Sequence, residues 1–135
     1  MRRFSLVAAL LLLALAGCAS SAASRPETAG EPTVYARVVN PPNPLLVGCW
    51  MRSRPSEYNR PNSYKYCLVE KGGKYAVYYE WRDGKTLEEH KGWMAFTIDG
   101  DRMTSDTEPS SYVVKDGRVW HGYAGRDKLH PMLRQ

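Results

Sequence analysis

The chain has 135 residues, a formal net charge of +5, nine tyrosines and four tryptophans. This length favours a single domain, and so small a basic excess argues against nucleic acid as a partner. The supply of tyrosine and tryptophan favours strands over helices.

The chain begins with the pattern of a secretory signal peptide. Arg2 and Arg3 precede an apolar run over residues 4–15 that only Ser5 interrupts, and small residues follow. A positive start, a short apolar run and a small-residue cleavage site together indicate export. The alternatives are a spanning anchor, which needs about 20 apolar residues, and an ordinary secretory peptide with a chance cysteine.

The end of this run, Leu15-Ala16-Gly17-Cys18, resembles the lipobox of bacterial lipoproteins. The resemblance implies that residues 1–17 are cleaved off and that Cys18 carries a diacylglyceryl thioether and an acylated amino group, with fatty acids such as palmitate. We expect no cofactor besides this covalent lipid. Several acyl chains give stable membrane anchoring. Ala19 follows the cysteine, which by similarity to sorted lipoproteins implies the outer membrane, with the domain in the periplasm.

Two cysteines, Cys49 and Cys67, remain for the folded part. In an oxidising compartment an even pair predicts a disulfide. The alternative is a metal-binding thiol pair, which lacks a further cysteine or histidine at ligand spacing. We therefore predict a disulfide and no metal site.

Residues 18–44 read as a flexible, lipid-anchored tether rich in alanine, serine and proline. Proline withholds the N–H that a strand ladder needs and favours extended conformations. One apolar patch, Val34-Tyr35-Ala36-Arg37-Val38-Val39, interrupts the tether. A spacer, a short strand and a segment lying on the domain are all compatible with this patch.

Residues 45–135 predict an all-β domain. Short runs of β-forming residues are separated by turn signals such as Gly72-Gly73 and Asp116-Gly117. We expect strands over residues 45–50, 64–70, 75–82, 86–98 with a break near Gly92, 101–106, 111–115 and 118–123. Such an antiparallel up-and-down meander of about seven to eight strands is expected to close into a small barrel, because open sheet edges invite pairing with other chains.

The strand opening Leu46-Val47-Gly48-Cys49-Trp50 resembles the Leu-x-Gly-x-Trp motif of lipocalin-like (calycin) domains. The resemblance implies a lipocalin-like β-barrel that binds a small hydrophobic ligand. A second, weaker likeness joins Tyr66-Cys67, Ser110-Ser111-Tyr112 and Lys115 to the membrane-bound inhibitors of c-type lysozyme. It implies a periplasmic muramidase inhibitor as the alternative function.

Binding residues are expected in two places. Tyr75, Tyr79 and Trp81 share one face of the third predicted strand, where their rings form either core or the wall of a ligand pocket. The predicted loop over residues 52–62 is either a solvated connector or a recognition loop, since Arg54, Tyr58 and Arg60 are typical interface anchors.

Enzymatic motifs are missing from the sequence. Neither a nucleophile elbow nor a phosphate loop nor a cysteine–histidine pattern occurs. His121 is expected to be a packed or surface residue, and Glu88-Glu89-His90-Lys91 is expected to be a charged strand edge rather than an acid–base pair. We therefore expect a non-catalytic, membrane-anchored protein that binds a small hydrophobic ligand or an envelope protein.

Overall fold

The computed structural model describes residues 29–54 and 62–135. The predicted signal peptide, Cys18, Tyr58 and Arg60 lie outside these residues. A 3-10 helix covers Pro44–Leu46, and the strands are β1 Arg37–Asn40, β2 Gly48–Arg54, β3 Asn62–Lys71, β4 Lys74–Arg82, β5 Glu89–Met94, β6 Phe96–Asp99, β7 Arg102–Ser105, β8 Ser110–Lys115, β9 Arg118–Tyr123, β10 His130–Pro131 and β11 Leu133–Arg134. No helix in the described part of the chain is long and apolar enough to cross a membrane.

The strands form two sheets, and at two corners the chain passes from one sheet directly into the other. One sheet has the order β1-β6-β7-β8-β9-β10, and the other has the order β11-β2-β3-β4-β5. Ala95 alone separates β5 from β6, and Met132 alone separates β10 from β11. The last strand pairs with the first strand of the meander through Leu133 and Met51. The predicted all-β class and antiparallel meander are confirmed.

The predicted break in the fourth strand is misplaced. Gly92 stays in the ladder opposite Tyr79, and the chain bends at Ala95 instead. Up to Met94 the strand pairs with β4, whereas Phe96 pairs with Ser105 of β7. The bend therefore lies where the strand exchanges one sheet for the other.

The first predicted strand begins too early. Asn43 accepts a hydrogen bond from the Leu45 backbone N–H at 2.9 Å, and Pro44 follows it at the first helical position. This combination of a capping side chain and a proline starts a helix. Residues 44–46 therefore form a helical turn, and the strand starts only at Gly48.

The predicted tether also ends earlier than residue 44. Arg37–Asn40 forms β1, which pairs in parallel with β6 through Val38 and Ile98. The Ala36 N–H donates to the Tyr75 carbonyl at 2.8 Å, so the segment is held by both sheets. The second half of the apolar patch, residues 37–39, thus belongs to a strand on the domain.

The main core lies between the two sheets and is rich in aromatic residues. Tyr66, Tyr112 and Phe96 are fully buried, with the Tyr66 and Tyr112 ring centroids 4.4 Å apart. On β4, Val77 and Tyr79 are buried in this core, and Tyr75 and Trp81 pack against it. The four residues therefore share the inward face, as the period-two pattern predicts.

The predicted disulfide is confirmed. Cys49 and Cys67 lie directly opposite each other on β2 and β3, with Cα atoms 4.0 Å apart. They form a second cluster with Tyr78 on the outer face of the sheet. Trp93 covers this cluster and donates its indole N–H to the Ala29 carbonyl at 2.8 Å. The start of the described chain is therefore fixed to the outside of the sheet.

Two buried phenols differ in their hydrogen bonding and provide a matched pair. The Tyr66 hydroxyl donates to the Leu46 carbonyl at 3.0 Å, whereas the Tyr112 hydroxyl has no partner among the described residues. A buried polar group without a partner costs about 1–3 kcal/mol. We expect Tyr112→Phe to raise the free energy of unfolding by about 1 kcal/mol and Tyr66→Phe to lower it by a similar amount. Urea unfolding measures both, and a Tyr112→Phe loss as large as that of Tyr66→Phe would contradict the assignment.

Candidate ligand-binding site

A pocket of about 280 Å³ opens at one end of the two sheets. At this end β4 and β9 finish, and β5 and β8 begin. The pocket is lined by Tyr64, Tyr79, Trp81, His90, Glu108, Pro109, Ser110 and Tyr123. Such a volume is close to the lower limit of small-molecule sites, and the aromatic lining is typical of them.

The lining follows from strand register. Trp81 of β4 lies opposite both Tyr64 of β3 and His90 of β5, and the Trp81 and His90 ring centroids are 5.2 Å apart. Ser110 of β8 lies opposite Tyr123 of β9. Directly opposed residues of neighbouring strands project to the same face. Two strand pairings in one sheet and one in the other thus place these side chains at the same end of the fold.

A buried polar cluster lies behind this lining. Arg52 and His121 are 5% and 0% exposed, and Arg52 Nη1 is 2.9 Å from His121 Nδ1. His121 Nε2 is 3.3 Å from Ser110 Oγ, so the cluster reaches the pocket through Ser110. The Arg52 guanidinium carbon lies 5.4 Å from the Tyr64 ring centroid, and the His121 ring stacks on Tyr112.

The chemistry of arginine fixes the direction of these hydrogen bonds. A guanidinium group only donates, so His121 Nδ1 accepts from Arg52. Neutral imidazole then carries its proton on Nε2 and donates it to Ser110 Oγ. Ser110 itself belongs to the pocket lining. The result is one chain of donors that runs from Arg52 to the pocket wall.

His121 is held neutral by its surroundings. Burial and the electrostatic interactions with Arg52 and His130 together lower the pKa of His121 from 6.5 to about 3, and burial has the largest effect. A buried ring beside a fixed cation resists taking up a second positive charge. His121 therefore acts as a permanent neutral acceptor for Arg52 at ordinary pH.

The pocket tyrosines are held in their protonated form. Burial raises the pKa of Tyr79 well above its usual value, and the charge of Glu108 raises it further. Burial also raises the pKa of Tyr123 to about 12, with Tyr64 adding to the rise and Arg52 opposing it. Both phenols therefore remain hydrogen-bond donors.

Among the described residues, the buried cation Arg52 has neutral partners. Within the described residues, no carboxylate forms an ion pair with it, and its contacts are His121, the Tyr64 ring and Tyr123. Glu108 is the acidic residue in the pocket lining. The site thus combines a buried cation, Arg52, that lies behind the lining with a carboxylate, Glu108, and aromatic rings in the lining itself.

The structure brings only some of the predicted binding residues together. Tyr79 and Trp81 line the pocket, whereas Tyr75 packs against the core and is not part of the lining. Arg54 ends β2 rather than standing in a loop. Tyr58 and Arg60 are not among the described residues.

The sequence indicates Ser110 only through the likeness to lysozyme inhibitors. It does not assign the following residues to a binding site: Arg52, Tyr64, His90, Glu108, Pro109, His121 and Tyr123. The alternation of Val119, His121 and Tyr123 gives the two ring residues one face, and Val119 is buried. His121 is packed, in agreement with the prediction, and its contacts with Arg52 and Ser110 join strands distant in sequence.

The residues behind the lysozyme-inhibitor hypothesis do not share one exposed surface. Ser110 and Tyr112 are 3% and 0% exposed and face the interior. Lys115, at the opposite end of β8, is exposed. Of the residues that carry the likeness to lysozyme inhibitors, only Ser111 and Lys115 are accessible for contact with a lysozyme.

The charged segment at residues 88–91 lies at the start of β5. Arg82 Nε donates to Glu89 Oε1 at 2.6 Å, and Lys91 Nζ lies 3.9 Å from the same carboxylate. Glu89 is thus engaged with cations across the strand edge. The described part of the chain contains no group of three or more His, Cys, Asp or Glu side chains placed to hold a metal ion.

In comparisons with known proteins, no family model, no curated protein and no solved structure matches this chain.

Proposed function

We propose that this protein is a non-catalytic binding protein of the bacterial cell envelope, anchored by lipid at Cys18, with its domain in the periplasm. Its proposed ligand is a small, largely apolar molecule that occupies the pocket at the open end of the sheets. The observation that carries the proposal is the lining of that open pocket, in which Tyr64, Tyr79, Trp81 and Tyr123 border a volume of about 280 Å³. Apolar walls with a few placed polar groups are the usual form of a small-molecule site.

The position of the tether supports this arrangement. Ala29 is fixed on the outer face of the disulfide-bearing sheet by Trp93. Ten residues lie between Cys18 and Ala29, and an extended chain spans at most about 3.6 Å per residue. A lipid on Cys18 would thus keep the domain within roughly 40 Å of the bilayer surface.

Binding is tested with the chain from residue 19 onward, which contains every described residue, secreted behind a cleavable signal peptide. We expect the neutral fluorescent probe N-phenyl-1-naphthylamine to bind saturably, with one molecule per chain. Trp81→Ser removes a wall of the pocket and is expected to weaken binding at least about tenfold, since buried aromatic side chains dominate such contacts. Leu133→Ser, a change at a surface residue 68% exposed, is the control. Equal affinities of the wild type and the Trp81 variant would refute the proposal.

The anchor is tested separately by mass spectrometry of the native protein from membranes. The proposal predicts an N-terminal Cys18 that carries fatty acids and a Cys18→Ala variant that lacks them. A native protein that keeps its initiator methionine and carries no lipid would contradict the anchoring, although not the pocket.

A further inference from the structure

We propose that the ligand of this pocket carries a positively charged nitrogen, such as an ammonium group on a hydrocarbon body, and that Glu108 and the Trp81 ring bind this group. The inference rests on the proposed function and names the chemical class of its ligand. It is carried by the position of the Glu108 carboxylate in a lining that otherwise consists largely of aromatic rings.

The first step concerns the charge that a ligand meets inside the pocket. Glu108 is the acidic residue of the lining, and it is half-buried. Within residues 29–54 and 62–135, no lysine, arginine or histidine forms an ion pair with its carboxylate. A partly desolvated carboxylate without a counter-charge gains more from a neighbouring cation than one in open water does. A cationic ligand therefore supplies the partner that the described residues do not.

The backbone around Glu108 is fixed in the empty pocket. The Ser105 hydroxyl at the end of β7 accepts from the Glu108 N–H at 3.1 Å and from the Thr107 N–H at 3.3 Å. The Pro109 carbonyl accepts from the N–H of Ala124, directly after β9, at 2.8 Å. The segment that carries the carboxylate is thus attached to two strands, so a ligand does not have to order it.

The second step concerns the aromatic rings of the lining. The face of an aromatic ring is negative and attracts cations, and tryptophan attracts them most strongly. Two rings of the lining already show this behaviour toward the protein's own cations. The Arg52 guanidinium carbon lies 5.4 Å from the Tyr64 ring centroid, and that of Arg126 lies 5.8 Å from the Tyr123 ring centroid.

Trp81 differs from these two tyrosines. Its indole is half-buried, and in the described part of the chain no lysine or arginine lies over it. Its ring neighbour is His90, tilted by 40° with the ring centroids 5.2 Å apart. Trp81 is therefore the lining ring best suited to contact a ligand nitrogen, while the other rings contact the hydrocarbon part.

The third step weighs the two arginines, which would favour an anion instead. Arg52 is 5% exposed, does not belong to the lining, and has its Nη1 atom 2.9 Å from His121 Nδ1. Arg126 is exposed, so water and salt screen its charge. Coulomb interactions weaken with distance. The carboxylate that a ligand can touch therefore has a stronger effect than a guanidinium group behind the lining or one in solvent.

The experiment compares three probes with the same ring system against the chain from residue 19 onward: 2-naphthylmethylammonium, 2-naphthylmethanol and 2-naphthoate. The first two differ in charge and hardly in size. We expect the ammonium probe to bind at least about tenfold more tightly than the alcohol at pH 7.5, and the carboxylate to bind most weakly.

Two variants assign the preference to its residues. Glu108→Gln keeps the size of the side chain and removes its charge, so it should weaken the ammonium probe about tenfold and leave the alcohol unchanged. Glu108→Asp keeps the charge and should retain most of the preference. Trp81→Leu keeps an apolar wall without a ring, and it should reduce the ratio of the ammonium to the alcohol affinity about threefold.

A matched control and a neutral probe separate the possible failures. Glu70→Gln removes an exposed carboxylate of β3 outside the pocket lining, and it should leave all three affinities unchanged. If the alcohol or the carboxylate binds as tightly as the ammonium probe, or if Glu108→Gln or Trp81→Leu keeps the full preference, this inference is overturned. The proposed function stands in those cases if N-phenyl-1-naphthylamine still binds. If neither that probe nor any of the three naphthyl probes binds, the proposed function fails as well.

Discussion

The double variant Cys49→Ala/Cys67→Ala is expected to lower the free energy of unfolding by about 3 kcal/mol. The disulfide joins directly opposed residues of β2 and β3 that are 18 positions apart, and it restricts the unfolded chain by closing that loop. A domain of this size buries a small core, so the loss is a large part of its total stability. Urea unfolding followed by tryptophan fluorescence measures it.

The wild-type protein unfolded in the presence of a reductant is the control, because its folded packing keeps both sulfur atoms. We expect its stability to fall by a similar amount. A loss below about 1 kcal/mol in both experiments would mean that the disulfide is not a main source of stability.

The second large effect is a pH dependence produced by His121. The folded pKa of His121 is lowered to about 3, whereas the ordinary value is 6.5. As the pH falls below 6.5, the unfolded chain takes up a proton that the folded protein refuses, so stability is complete above this value and declines below it. The slope approaches about 1.4 kcal/mol per pH unit, and the expected loss between pH 7 and pH 5 is about 2 kcal/mol.

Two variants isolate this contribution. His121→Gln can still accept from Arg52 and donate to Ser110 but cannot titrate, so it should lose the part of the pH dependence due to His121, whatever its absolute stability. His90→Gln leaves His121 in place and should retain the wild-type slope. Equal slopes for the wild type and His121→Gln would show that His121 is not held neutral in the folded protein.

The sequence predicts the repeating part of this fold well for physical reasons. Paired glycines at 72–73 and Asp116-Gly117 adopt the backbone conformations that tight hairpins require, with positive φ at each of these positions. The alternation in β4 places Val77 and Tyr79 in the core between the sheets and Tyr78 in the cluster on the outer face. Turns and period-two patterns are local properties, so neighbouring residues are sufficient to indicate them.

The sequence is less informative where distant strands meet. Arg52 and His121 are 69 positions apart, and no local pattern indicates that an arginine of one strand will be buried against a histidine of another. The strand β1 is a similar case, because its partner β6 lies about 60 residues further along the chain. Pro41 and Pro42 follow β1 directly and argue locally against a strand, whereas the contacts that hold β1 come from β6 and from the Tyr75 carbonyl.

The central claim is that the pocket at the open end of the sheets binds a small, largely apolar ligand. Its most direct test is nuclear magnetic resonance of the chain from residue 19 onward during titration with N-phenyl-1-naphthylamine. The account predicts saturable shifts of the Trp81 indole N–H and of the Tyr64, Tyr79 and Tyr123 ring signals, with the Trp93 and Trp120 indole signals unchanged. Shifts confined to Trp93, Trp120 or the exposed residues of β1, or no shifts at all, would contradict it.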